Sequence, residues 1–305
     1  MKNHNGSEHD MLSRLVLGTV QLGLDYGIAN TAGKPSQDIA NSIVAVSYGG
    51  GIRCFDTALA YGESEAVLGR ALQAEGIRDA QIISKCSPEL SSNASDELLR
   101  DVESSLTLLG VSSLYCLMLH DEDHLDLLHG AIGETLQELA DRRKIRRIGI
   151  SVYTPERAFE ALEHPMINVL QVPASLFDRR FETSGFFFKA KTLGKEIHIR
   201  STLLQGVLCM EPEKLPPFLQ ELSPSLAEFR KVCFERDITP AAAALAWCLT
   251  SYPDAFVLFG AETEQQVLEN LNAVEWAKED FLMEKLTTIL PPQKEQVLSP
   301  LYWSR

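Results

Sequence analysis

A single-domain (β/α)8 barrel is the fold that the 305-residue sequence predicts, and three observations carry it. Short β-favouring runs alternate with amphipathic helical stretches from end to end, roughly eight times, and such alternation builds a parallel sheet that can close on itself. No shift in composition marks a linker. No G-x-G-x-x-G follows the first strand, which argues against the doubly wound open sheet, the other architecture the alternation allows.

The elements follow in order. Arg14 to Gly18 reads as a first strand, followed by the Gly-rich loop GTVQLGLDYGIANTAGKP. Pro35-Ser36 opens a helix with Ile39, Ile43, Val44 and Val46 on its apolar face, and Gly49-Gly50-Gly51 stops it. Ile52 to Asp56 is the second strand, and a helix runs from Glu63 to about Ala74 with Val67, Leu68, Ala71 and Leu72 facing inward. Gln81 to Cys86 is the third strand, and Ser95 to Leu109 a helix that Gly110 ends. Leu114 to His120 is nearly continuous apolar sequence, as a strand covered on both faces should be. Ala131 to Arg143 is helical, Ile145 to Ser151 a strand, Pro155 to Glu163 a helix and Val169 to Pro173 a strand. Phe186 to Leu193 gives a short helix and Ile197 to Thr202 the seventh strand. Glu211 to Pro224 is Pro-rich and irregular, and Ser225 to Glu235 and Pro240 to Leu249 are helices. Phe256 to Gly260 closes the strand set, and Thr263 to Ala273 is its helix. Residues 1–12 are polar and are predicted as a flexible tail, with residues 13–305 forming the barrel and a C-terminal tail.

Composition narrows the function classes. An apolar fraction of 45% suffices for a large core. No apolar run is long enough to span a bilayer, and the first residues carry no hydrophobic segment of the kind a signal peptide needs. The six cysteines show no C-x-x-C spacing, and Cys54, Cys86 and Cys116 fall inside strands. That pattern fits reduced, buried thiols and a cytoplasmic protein. A net charge of −14 offers no basic groove to a nucleic acid. The expected partner is a small molecule, with no nucleic acid and no membrane, and the oligomeric state is left open.

Four reactive side chains fall where strands two, three and four end: Asp56, Tyr61 just beyond it, Lys85 and His120. In a parallel barrel those ends share one face, and adjacent strands lie only ~5 Å apart. Singly, Asp56 can cap a turn, Lys85 can be a surface lysine with a buried stem, and His120 can be a core histidine bonded to backbone. Together they suit one reaction. A phenol with an ordinary pKa near ~10 is a poor acid, and a neighbouring ammonium held by a carboxylate should lower it toward ~8. A neutral imidazole can then orient a carbonyl oxygen toward that phenol while a hydride reaches the carbon.

The stretches GTVQLGLDYG, FDTALAYGESEAVLG, ISKC, LMLH, KIRRIGIS, QVPASLFDRR and FGAETEQQVLENL resemble the aldo-keto reductases, NAD(P)-dependent (β/α)8 barrels, from about Leu15 to Leu271. By that resemblance Asp56, Tyr61, Lys85 and His120 match the catalytic tetrad, with Tyr61 the general acid/base interconverting an aldehyde or ketone and its alcohol. It also implies cofactor contacts at Gly18 and Thr19, at Ser151 and Gln171 for the nicotinamide carboxamide, and at Arg200, Ser201 and Leu203. Gly260, Ala261, Glu262, Gln266, Glu269 and Asn270 match the remaining cofactor positions. The chain departs from the family pattern at Val152, where Asn is usual, at Ala174, where Tyr is common, and at Arg200, where an aromatic residue often stacks on the nicotinamide. A guanidinium can also stack, and can hold an anion. Relatives that use NADPH place Lys or Arg after the last strand, where this chain has Glu262 and Gln266, so NAD(H) is expected to be accepted at least as well as NADP(H).

Tyr26, Arg179 and Arg180 are candidate substrate contacts, the arginines because they follow the sixth strand and can meet a phosphate or carboxylate. The polar loops and these candidate arginines make a sugar-like or phosphorylated carbonyl compound the expected substrate class. The His120–His124 stretch has metal-like spacing, but it begins at a strand end and reads as a solvated acidic loop. Two other roles fit the same barrel: a Schiff-base lyase with Lys85 as nucleophile, and a non-catalytic nicotinamide-binding sensor or subunit.

Overall fold

The computed structural model describes residues 8–299 together with 302 and 303. Eight parallel strands close into a barrel in sequence order. They are β1 (Leu15–Gly18), β2 (Cys54–Asp56), β3 (Gln81–Lys85), β4 (Cys116–Leu119), β5 (Ile148–Ser151), β6 (Val169–Pro173), β7 (Glu196–Arg200) and β8 (Ala255–Gly260). Closure is made by β1 on β8, with Gly18 opposite Gly260, so the first and last Gly-bearing strand ends become neighbours. This is the fold class the alternation predicts.

The strands are shorter than their apolar runs. Leu114 and Ile145 meet in an isolated parallel bridge ahead of β4 and β5. Apolar sequence extends beyond the paired segment because those residues bury against helices whether or not they join a ladder.

Two cores result. Inside the barrel, Val16, Cys54, Ile83, Cys116, Met118, Val169 and Leu258 fill the middle. Outside, a continuous apolar layer joins the strands to the helices. The helices begin where the sequence carries caps: Ser36 accepts from Ile39 N, Thr154 from Arg157 N and Thr239 from Ala242 N, the last two followed by Pro. Among the described residues no helix is long and apolar enough to cross a membrane.

The two chain ends depart from expectation. A helix forms over Glu8–Ser13, and Met11 and Leu12 pack against the outer core, so the predicted tail does not extend to residue 12. Two apolar side chains in an otherwise polar segment suffice to dock it. Residues 1–7 lie outside the described set. Toward the C-terminus the helix Asp280–Ile289 buries Leu282, Met283 and Leu286, and Gln293 N donates to Phe177 O at 2.9 Å. The Pro-rich stretch after β7 folds into 3-10 turns, Pro212–Lys214 and Pro217–Leu222.

Candidate active site

The loop between β2 and the helix Ser64–Ala74 is built against two neighbouring segments. Thr57 N donates to Ile83 O at 2.8 Å and Leu59 N to Lys85 O at 3.2 Å, so the chain leaving Asp56 continues alongside β3. Tyr61 N donates to Ala58 O, and Tyr61 O accepts from Ser64 N, which closes the turn that starts the helix. Behind the turn, Thr19, Thr57 and Ser64 share hydroxyl bonds of 2.8 to 3.0 Å, and Ser64 Oγ donates to Thr19 O at 2.7 Å. Gly23 packs so closely here that a Cβ would sit 1.8 Å from Tyr61 O. Tyr61 is therefore fixed from two sides before any ligand is considered.

The four residues converge as their strand positions require. Lys85 Nζ donates to Asp56 Oδ1 at 2.6 Å and to Thr57 O at 3.0 Å, with both side chains almost wholly buried. Gln171 Nε2 donates to Asp56 Oδ2 at 2.8 Å, so each carboxylate oxygen has a partner. Lys85 Nζ lies 5.0 Å from the centroid of the Tyr61 ring. The His120 ring meets the Tyr61 ring edge-on, centroids 5.8 Å apart and planes at 79°.

The electrostatics differ from expectation at one point. Burial is the strongest influence on the Tyr61 phenol and pushes its pKa up; Lys85 and Arg200 oppose that, Asp56 adds to it, and the outcome is a raised pKa, not a lowered one. The cavity wall removes water from the phenol, and the Lys85 charge is partly neutralised by the carboxylate that holds it. Burial pulls Lys85 down, but the Asp56 carboxylate and Tyr61 more than offset it, so the amine stays protonated. Burial, with the Lys85 charge behind it, lowers His120 to about 4, which leaves a neutral imidazole. Among the described residues no well-formed hydrogen bond reaches the buried His120 Nδ1.

Tyr61 and His120 open on a cavity of about 650 Å³. Asp56, Gly18, Thr19, Ser151, Gln171, Arg200, Ser201, Leu203, Gly260, Glu262, Gln266, Glu269, Asn270 and Tyr26 line it as well. Lys85 stands one layer behind Asp56, and Ala261 is buried in the wall between Gly260 and Glu262. Arg179 and Arg180 are not brought to the cavity, which corrects their expected role. Arg179 donates to the backbone oxygens of Leu176, Thr287 and Leu290 and lies over Trp247. Arg180 pairs with Asp178 at 2.9 Å and with Glu295 at 2.5 Å. The C-terminal segment packs on the β6 loop and takes up both guanidinium groups.

Other wall residues had no signal that the sequence reading used. Tyr153 lies just past β5, and strand-end position alone would have flagged it. Its N–H, with that of Thr154, is held by Glu122 Oε2 at 2.7 and 3.1 Å, so the acidic loop read as solvated in fact anchors the β5 loop. Gln205 enters through a run of left-handed backbone (Leu204 φ 50°, Gln205 φ 53°, Gly206 φ 84°), of which only the glycine is visible in sequence.

The wall fits a nicotinamide dinucleotide. Gln171 and Ser151 line the cavity, and among the described residues no well-formed hydrogen bond uses Gln171 Oε1 or Ser151 Oγ, one an acceptor and one able to donate, as a primary amide requires. Gln266 Oε1 accepts from Glu262 N at 2.7 Å and its amide reaches Glu262 Oε2 at 3.3 Å, so a carboxylate is fixed at the β8 end. Among the described lining residues, Arg200 is the sole Lys or Arg.

The sequence profile of the Aldo/keto reductase family matches residues 14–290. An NADH-specific methylglyoxal reductase of Escherichia coli (strain K12) is 26% identical over 304 residues, covering 88% of this chain and 92% of the relative. An aldo-keto reductase of Bacillus subtilis (strain 168) is 29% identical over 206 residues, covering 65% of this chain and 59% of the relative. The holo form of an aldo-keto reductase from Bacillus halodurans superposes with a TM-score of 0.72 at 24% identity, covering 94% of this chain and 95% of that one. With the closed barrel and a match over most of its length, the chain belongs to the aldo/keto reductase family, and with it to the NAD(P)-dependent oxidoreductases.

Proposed function

We propose that the protein reduces a small polar aldehyde or ketone, or oxidises the matching alcohol, with Tyr61 as the proton donor and acceptor. The observation that carries this reading is the convergence of Tyr61, Lys85, Asp56 and His120 on one cavity wall. A nicotinamide held against Ser151 and Gln171 would supply the hydride that the carbonyl carbon receives. The residues do the rest. His120, neutral, directs the carbonyl oxygen toward the phenol. Tyr61 Oη gives its proton to that oxygen, and the phenolate left behind faces the Lys85 ammonium, which Asp56 keeps in place. The raised pKa of the phenol keeps the proton on the donor at neutral pH until the oxygen develops charge.

Gln171 Oε1 and Ser151 Oγ suit the nicotinamide carboxamide. Glu262, held by Gln266, suits ribose hydroxyls and repels a 2′-phosphate, so NAD(H) is accepted at least as well as NADP(H). A relative that is NADH-specific and acts on methylglyoxal supports both the cofactor and a small carbonyl substrate. The polar lining, with Tyr26, Tyr153 and Gln205, favours a hydroxylated, sugar-like compound.

A Schiff-base role for Lys85 is disfavoured, because that chemistry needs a neutral amine and Lys85 is a buried, carboxylate-bound ammonium. The test is Tyr61→Phe, assayed against a carbonyl panel with both nicotinamides. Dinucleotide binding should persist while turnover falls by at least ~100-fold; full activity in that variant would refute the role. Binding without turnover of any carbonyl by the unmodified protein would instead favour a non-catalytic nicotinamide-binding subunit.

A further inference from the structure

Arg200 is an unusual arginine for so acidic a chain, whose net charge is −14. It ends β7 with its side chain in the cavity wall, in register with Pro173 of β6 and so near Gln171 two residues earlier on that strand. Its guanidinium carbon lies 4.1 Å from the centroid of the Tyr153 ring. Its hydrogen bonds are both long, 3.3 Å to Ser201 Oγ and 3.5 Å to Val152 O. Among the described residues no carboxylate pairs with it, whereas Arg157 and Arg180 are each held by acidic side chains. Its charge also reaches the reacting groups, where it opposes the upward shift of Tyr61 and adds to the lowering of His120. An aromatic ring thus underlies a cation that, among the described residues, has no carboxylate partner, on the wall proposed to meet the nicotinamide.

We propose that Arg200 is a specificity-determining residue for the redox state of the cofactor, favouring the reduced nicotinamide over the oxidised one. This rests on the reading that a nicotinamide binds against Ser151 and Gln171. The oxidised ring carries a positive charge and the dihydro ring carries none, while the rest of the dinucleotide is the same in both. A fixed guanidinium in a partly desolvated wall repels the first and is indifferent to the second. Tyr153 is the positioning residue, since its ring lies under the guanidinium carbon and its own backbone is tied down by Glu122. By linkage the bias eases release of the oxidised cofactor after carbonyl reduction, while it opposes the hydride transfer in which positive charge develops on the ring.

The test is the ratio of dissociation constants for NAD+ and NADH, read by quenching of intrinsic tryptophan fluorescence in the full chain without substrate. The unmodified protein should bind NADH at least tenfold more tightly, a difference of about 1.4 kcal/mol. Arg200→Gln should shrink that ratio at least fivefold, chiefly by tightening NAD+. Arg200→Lys, which keeps the charge, should retain most of the bias, and Tyr153→Leu should lose part of it. Equal affinities in the unmodified protein overturn the proposal whatever the variants do. Equal weakening of both forms by Arg200→Gln also overturns it, and would assign the guanidinium to the pyrophosphate, which both forms carry. Failure to bind either dinucleotide would overturn the cofactor reading itself, and this inference with it.

Discussion

His120 shows how burial sets both a protonation state and a pH response. Its imidazole falls from an ordinary 6.5 to about 4 because the cavity wall and the Lys85 ammonium disfavour the cation. A basic group with a depressed folded-state pKa makes the unfolded chain bind more protons between those two values. Stability from this source is present above about pH 6.5 and is lost as the pH falls toward 4, by up to about 3 kcal/mol and less where solvent reaches the ring. His120→Asn should therefore flatten the decline of Tm between pH 6.5 and 4, and an unchanged slope would contradict the assignment. Lys85 behaves in the opposite sense. Its raised pKa gives stability that holds below the unfolded value and is lost only in strong alkali, as the pH rises through the folded one. The direction of the Tyr61 shift was not legible in sequence, where a phenol beside an ammonium reads as acidified. Depth of burial decides it, and depth depends on walls contributed by other strands.

At the scale of elements, the turn that carries Tyr61 depends on a backbone contact between two loops distant in sequence. Gly23 lies so near Tyr61 O and Ser64 N that a Cβ would meet them at 1.8 and 2.5 Å. Both are backbone atoms, so no side chain can yield. Gly23→Ala should cost about 1–3 kcal/mol or more, seen as a lower Tm. It should also lower kcat by displacing Tyr61 from Lys85; an active variant of unchanged Tm would show that the contact is dispensable. The strand–helix order and most helix starts were legible because period and capping chemistry are local: Ser36, Thr154, Thr239 and Thr263 all accept bonds from the third residue onward. The docked helix Glu8–Ser13 and the packing of Asp280–Ile289 were not, since each depends on a surface made by other segments.

Over the whole molecule, closure of the barrel gives the cavity two ends of opposite sign, with Arg200 beside the reacting groups and Glu262 with Glu269 at the β8 end. That polarity bears on cofactor choice. NADPH should not exceed NADH by as much as a hundredfold in kcat/KM. Replacing Glu262 by Lys should move the ratio toward NADPH by at least ~10-fold, because it converts a repulsion of the 2′-phosphate into an attraction. A ratio that does not respond would place the adenosine end elsewhere.

The sequence alone determined the barrel and the placement of Asp56, Tyr61, Lys85 and His120 at neighbouring strand ends, because alternation and strand-end position are properties of short windows. Only the tertiary structure decided who partners whom. Gln171 reaches Asp56 across 115 residues, and Arg179 and Arg180 are drawn from the cavity by backbone and carboxylate groups more than 100 residues away. A local pattern can place a side chain at the mouth of the barrel. Whether it meets a ligand, a carboxylate or a carbonyl there depends on which distant segments fold over that mouth, and on how much water they leave.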